Sequence, residues 1–170
     1  SFDLKKILLG LAIVLVLIQF VRHPKNDSGA VQNDIATLYP MPNEVKLIVD
    51  KACADCHSNK TVYPWYANIQ PFAYLINDHV VDGKRHFNFN DFASYKIAKQ
   101  NHKLEELIEQ VKESEMPMES YTLIHQNAKL SETEKNTLVQ WCQSIMDTLK
   151  ANYPADSLKL KRPPAPANTK

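Results

Sequence analysis

Residues 131–149, SETEKNTLVQWCQSIMDTL, decide the fold class. Ser131 and Glu134 make the S-x-x-E capping box, in which each side chain satisfies a backbone N–H at a helix start. Leu138, Trp141, Cys142, Ile145, Met146 and Leu149 then recur at offsets of 0, 3, 4, 7, 8 and 11. That spacing lays six apolar side chains along one wide helical face, a face made for packing against other helices.

The same period extends upstream. Leu104, Leu107, Ile108 and Val111 form a helical stripe that Pro117 ends. Asn90 is expected to cap a helix through Phe92, Tyr95 and Ala98, broken near Asn101. Pro71 suits the first position of another helix and Gly83 its C-terminal stop. Asn43 caps the first, with Glu44 in its first turn, and Val45, Ile48, Val49 and Ala52 run into Cys53. Composition agrees. Of 170 residues only 3 are glycine while 10 are proline. A many-stranded sandwich or barrel needs glycine in its tight turns. Gly10, Gly29 and Gly83 also stand too far apart for a phosphate-binding loop. A net charge of +1 gives no electrostatic case for nucleic acid. The expectation is an all-α bundle of about four to five helices, plus an apolar N-terminal helix.

That N-terminal segment, ILLGLAIVLVLIQFV (residues 7–21), is apolar apart from Gln19, with Lys5 and Lys6 before it and Arg22, His23 and Lys25 after it. Fifteen residues of helix cover roughly 22 Å against a hydrocarbon core of roughly 30 Å, and Phe2 and Leu4 with snorkelling lysines bring it near spanning length. A cleaved signal peptide ending at Ser28-Gly29-Ala30 competes with an uncleaved signal anchor. The small-residue site lies across a polar stretch, which favours the anchor. Either reading exports the rest of the chain, and the start at Ser1 points to trimmed or unshown residues upstream. The expected organisation is 1–22 anchor, 23–42 linker, 43–150 folded domain and 151–170 disordered proline-rich tail.

The chemistry lies in Cys53-Ala54-Asp55-Cys56-His57, a Cys-x-x-Cys-His pattern that attaches c-type haem. Two thiols one helical turn apart reach the two vinyl groups on a macrocycle edge, and the adjacent histidine reaches the iron as axial ligand. A zinc site would want a second Cys or His pair, a thioredoxin-like dithiol a βαβ setting, and a disulfide this short would stabilise little. Cys142, on a packing face, reads as a buried free thiol. For the sixth iron position, Met116 in Glu115-Met116-Pro117-Met118 is the chosen ligand, a soft thioether on a proline-stiffened loop. Met118 and His125 are the alternatives, and the remaining domain histidines read as solvated. Tyr63, Trp65, Tyr66, Phe72 and Tyr74 offer aromatic wall for a macrocycle, Tyr63 and Trp65 foremost. Arg85, with Lys84 and His86, could pair with haem propionates.

With those residues in place, the chain resembles a family of small haem-binding domain proteins found mostly in Bacteroidetes, a branch of the c-type cytochromes. The matching stretches are CADCHSNKTVYPWYANIQP (53–71), DHVVDGKRHFNF (78–89) and MPMESYTLIHQNAKLSETEKNTLVQW (116–141). The resemblance implies one haem c per chain on Cys53 and Cys56, His57 as axial ligand, and export to the periplasmic side. The Met116-Pro117 loop ahead of the last helix is similar to the distal methionine loop of small class I cytochromes c, although Glu115 stands where those usually carry glycine. The functional expectation is a membrane-anchored monohaem cytochrome moving single electrons between redox partner proteins, with no catalytic residue of its own. The alternative is a haem sensor or peroxidase-like enzyme with an open sixth site.

Overall fold

The capping box closes as the spacing predicts. In the computed structural model, which describes residues 3–161, Ser131 Oγ accepts from Glu134 N at 3.2 Å and Glu134 Oε2 accepts from Ser131 N at 2.9 Å. The helix it starts, α7, runs Glu132–Asn152, and all six residues of its apolar face are buried. α2 (Asn43–Ala52) buries Val45, Ile48, Val49 and Ala52, the full stripe read from the sequence. α5 (Ile97–Lys112) buries Leu104 and Val111. These three helices close on one core with Ile35, Phe87, Phe89 and Phe92. The remaining helices are α1 (Leu4–Ile18), α3 (Ala54–His57), α4 (Phe72–His86) and α6 (Glu119–Ile124). The described residues are all helix and connection, without a strand.

Several local expectations give way to tertiary contacts. The helix capped by Asn90 does not form. Its side chain is already engaged, accepting from Asn59 N at 2.7 Å and donating to Asp34 at 2.6 Å. The chain makes only a 3-10 turn at Phe92–Ser94, and α5 starts at Ile97 and continues unbroken through Asn101. α5 also ends before Pro117, where Ser114 takes a left-handed φ of 62°. Gly83 does not stop a helix. It lies inside α4, and a Cβ there would meet the Cys56 carbonyl oxygen at 2.6 Å. Only a residue without a side chain lets α4 approach α3 so closely.

The stretch 23–42 forms only one 3-10 turn, Ile35–Thr37, yet it is fastened to the domain. Ile35 is fully buried, and its N–H donates to the Phe89 carbonyl at 2.8 Å. Ala93 N donates to Asn33 O, and Gly29 N to Asn59 O, each at 2.9 Å. The C-terminal stretch differs from the expected tail in the same way. Ala155–Leu158 form a 3-10 turn, and Leu158 is buried in the core. One well-placed leucine is enough to dock a segment whose composition reads as linker. The proline-rich end from residue 162 onward lies outside the described residues.

α1 stands apart. Asp3 caps it by accepting from Lys5 N, and none of its fifteen residues is buried. Among the described residues no helix is long and apolar enough to cross a membrane. The C-terminal end of α1 is nevertheless tied to the domain. Gln19 accepts from Gln70 N at 2.9 Å, Gln70 Nε2 donates to Val21 O at 2.9 Å, and Arg22 donates to Asn68 O at 2.8 Å.

Candidate functional site

α2 delivers the cysteine motif. Cys53 caps its C-terminus, with Cys53 N donating to Val49 O at 2.9 Å. Cys56 N and His57 N then both donate to the Cys53 carbonyl, at 3.2 and 3.0 Å, winding α3 in a single turn. The turn brings both thiols and the imidazole to one cavity of about 490 Å³. That volume lies in the range of roughly 300–1,000 Å³ typical of small-molecule sites. α4 contributes His79, Asp82, Gly83 and His86, and α5 contributes Lys103, Glu106, Leu107 and Val111. Met116, Pro117, Met118 and Tyr121 come from the loop and helix that follow, and Phe87, Phe89, Leu130 and Leu138 complete the apolar wall.

The histidine is held in one tautomer. His57 Nδ1 lies 2.9 Å from the Phe87 carbonyl oxygen. A carbonyl only accepts, so Nδ1 carries the hydrogen and Nε2 keeps a free lone pair. This is the support a metal-ligating histidine uses to fix its ring. Burial pushes the imidazole pKa below its ordinary value, outweighing the pull of the Phe87 and Gly83 carbonyls, and so favours the neutral, ligating form. Burial also pushes the Cys53 thiol up to about 12, with Cys56 adding to it. Cys56 rises to about 11, through burial first and the Asp55 charge second. Both shifts favour the neutral thiol, unlike the low-pKa thiolate of a redox dithiol. Nor does any group of three or more His, Cys, Asp or Glu side chains among the described residues stand ready to hold a bare ion.

A second set of contacts ties the methionine loop to the motif. Tyr121 donates to Asp55 Oδ2 at 2.7 Å, while Asp55 Oδ1 accepts from Val62 N at 3.0 Å. Tyr121 stacks on His125 with ring centroids 4.5 Å apart, and His125 Nε2 meets the Tyr66 hydroxyl at 2.9 Å. Asp55, the second residue between the cysteines, thus anchors α6.

Of the residues singled out in the sequence, Cys53, Cys56, His57, Met116 and Met118 share the cavity. His125 does not line it and is engaged by Tyr66 instead. Tyr63 also lies elsewhere, its hydroxyl accepting from Asn26 N at 2.7 Å. Trp65 is 77% exposed and does not line the cavity. Arg85 does not line the cavity; it pairs with Asp82, which does, and the neighbouring His86 also reaches it. Cys142 is a fully buried free thiol, as its place on the α7 stripe predicts. Sequence reading missed Tyr121 and the Phe87 carbonyl. Nothing local marks either one, since each acts through a contact with a distant segment.

The cavity suits a haem. It has a wide apolar wall, two neutral thiols one turn apart, and an imidazole whose Nε2 lone pair is free. A helical domain that brings these groups to one cavity is a domain for an iron-centred macrocycle. Comparison with known proteins agrees: a family model described as a haem-binding domain matches residues 13–144, and the chain belongs to that family. No curated protein and no solved structure matches the chain.

Proposed function

We propose that this haem-binding protein is an exported monohaem cytochrome of the c type, working as a one-electron carrier between redox proteins. The observation that carries the reading is the sharing of one cavity by Cys53, Cys56, His57 and Met116. Cys53 and Cys56 would hold the macrocycle covalently, His57 Nε2 would be the proximal ligand, and Met116 the sixth. A haem bound there would supply a one-electron couple at its iron. The chain's own contribution is structural. The Phe87 carbonyl fixes the His57 ring, Gly83 lets α4 close behind Cys56, and the Tyr121–Asp55 bond holds the methionine segment to the motif. Phe87, Phe89, Leu130 and Leu138 would give the group an apolar surface to lie against. The carrier would sit on the periplasmic side, with α1 and the adjoining Phe20 and Val21 as its membrane anchor.

Expression with a cytochrome c maturation system tests the central claim. Haem should stay on the denatured chain, and Cys53→Ala with Cys56→Ala should abolish attachment. A chain that releases its haem on denaturation overturns the c-type assignment. The ferric spectrum tests the sixth ligand. A low-spin spectrum with an iron–thioether charge-transfer band, lost in Met116→Ala and kept in Met118→Ala, is the expected result. High-spin iron that binds cyanide readily would favour the sensor or peroxidase-like alternative.

A further inference from the structure

Outside the cavity, the largest unexplained surface lies where α1 meets the domain. Residues 61–77, TVYPWYANIQPFAYLIN, contain no charged side chain. A long uncharged stretch is normally buried, but here the apolar groups face out. Val62 is 76% exposed and Trp65 77%, and Ile69, Phe72, Tyr74 and Leu75 are all exposed. Trp65 packs edge-on against Tyr66, and Tyr66 against Phe72, with centroids 5.8 and 6.1 Å apart. The exposed Trp65 and Phe72 are therefore joined through the half-buried Tyr66, and Leu75 lies one turn beyond Phe72 on α4. An apolar patch of this kind on a soluble face calls for a partner.

The chain itself indicates which partner. The stretch is hydrogen-bonded to the end of α1 through Gln70 with Gln19 and Val21, and through Asn68 with Arg22 and Lys25. From Ile7 onward α1 is apolar on every side, and none of its residues is buried against protein. The apolar part of α1, Ile7–Ile18, spans only about 18 Å of helix, roughly 12 Å short of a hydrocarbon core. A short apolar segment meets that deficit by thinning the bilayer and drawing its flanking residues into the interface. The residues drawn in are those fastened to its end. Asn68 and Gln70 make that attachment, the stretch 61–77 around them is uncharged and rich in aromatics, and Arg22 and Lys25 lie beside it, the composition that the bilayer interface favours.

We infer that the face bearing Trp65, Phe72 and Leu75 docks on the lipid interface as a second membrane contact. The occupant is the bilayer that holds α1. The contact fixes how the domain sits on the membrane. α4 carries Phe72 and Leu75 at its N-terminal end and His79 and His86, at the cavity, further along, so the docked face sets the height of the cavity above the lipid. The inference rests on α1 as an anchor and not on the haem chemistry.

The test uses the full chain with its haem, reconstituted in vesicles of phosphatidylethanolamine and phosphatidylglycerol. Single cysteines replace Trp65, Phe72 or Leu75, with Asp147→Cys on α7 as the control and the parent chain as the labelling background. An impermeant charged maleimide reads exposure, each rate being normalised to that of the same variant denatured. Labelling at positions 65, 72 and 75 should be about tenfold slower than at 147, because the reagent does not enter the interface. Three positions guard against one variant misfolding. If the chain co-floats with vesicles but all three positions label as fast as 147, the docking is overturned and the anchor stands. If the chain does not co-float, the anchor fails and the docking with it.

Discussion

The two sides of this domain are held together differently. On one side α2, α5 and α7 meet through apolar side chains at helical spacing, and Phe92, Leu104, Leu138 and Cys142 are fully buried. On the other, α3 and α6 bury no residue at all and α4 buries only Val80. That side is joined by single contacts of high specificity: Gly83 against Cys56, His57 on the Phe87 carbonyl, Tyr121 on Asp55. The first arrangement is cooperative and sums many weak contacts. The second leaves an apolar wall open between its elements, and a domain that binds a large flat cofactor needs just such a wall. Burial energy is concentrated in the packed helices that back the cavity with Leu107, Val111 and Leu138, and geometry in the elements that close over it.

The largest effect should come from the packed side. Phe92→Ala removes a fully buried ring that touches Phe87 and Tyr95, at centroid distances of 5.5 Å each. The expected loss is about 3–5 kcal/mol of unfolding free energy, measured by denaturant titration with an unchanged slope. A loss under about 1 kcal/mol, as at a surface position, would mean that the two sides do not differ as argued.

Gly83→Ala tests the other side by overfilling it. The new Cβ would lie 2.6 Å from a backbone oxygen, which no rotamer change relieves. The expected cost is about 1–3 kcal/mol, smaller than for Phe92 because α4 can shift outward. That shift moves Cys56 relative to His79 and His86, so covalent haem yield should fall more steeply than the melting temperature. If yield and stability fall in step, the Gly83 contact serves packing alone.

How much of this was legible beforehand follows from the same contrast. The apolar stripes of α2 and α7 and the capping box were readable because their cause is local periodicity. The Cys-x-x-Cys-His pattern was readable because its chemistry fits within five consecutive residues. The helix at Asn90 was misread because the capping side chain is taken by Asp34 and Asn59, both remote in sequence. Gly83 was misread for the same reason, since the atom that forbids a side chain belongs to residue 56. The sequence places the haem wall in the aromatics at 63–74. It is built instead from Phe87, Phe89, Leu107 and Leu138, which reach the cavity only once the bundle has closed.

Tyr121→Phe should have a smaller effect, and a local one. It removes the hydroxyl that donates to Asp55 and leaves the ring on His125. A bond of this kind contributes about 0.5–1.5 kcal/mol. Because α6 buries nothing, the loss should appear as faster amide hydrogen exchange across Glu119–Ile124 and little change in the core helices. Equal acceleration in α7 would show that α6 is part of the cooperative core, erasing the distinction between the two sides.

The smallest effect belongs to the capping box, and it depends on pH. Glu134 receives Lys51 Nζ at 2.6 Å and the Ser131 N–H at 2.9 Å. The Lys51 contact first, and the Ser131 N–H second, hold its pKa below the ordinary glutamate value of 4.5. A folded-state pKa lower than the unfolded one means that the unfolded chain binds the proton more tightly. The stabilisation is therefore complete above the unfolded value and is lost as pH falls through the lower folded value. Glu134→Gln keeps an oxygen for the Ser131 N–H and removes the charge. At neutral pH it should cost about 0.5–1 kcal/mol, as expected of a partly exposed pair at a helix start. As pH falls through the lower folded value the variant and the parent should converge, because the parent carboxylate is then taking up its proton. A deficit that persists unchanged at low pH would assign the effect to hydrogen-bond geometry alone, and Lys51 would then contribute nothing to the junction of α2 and α7.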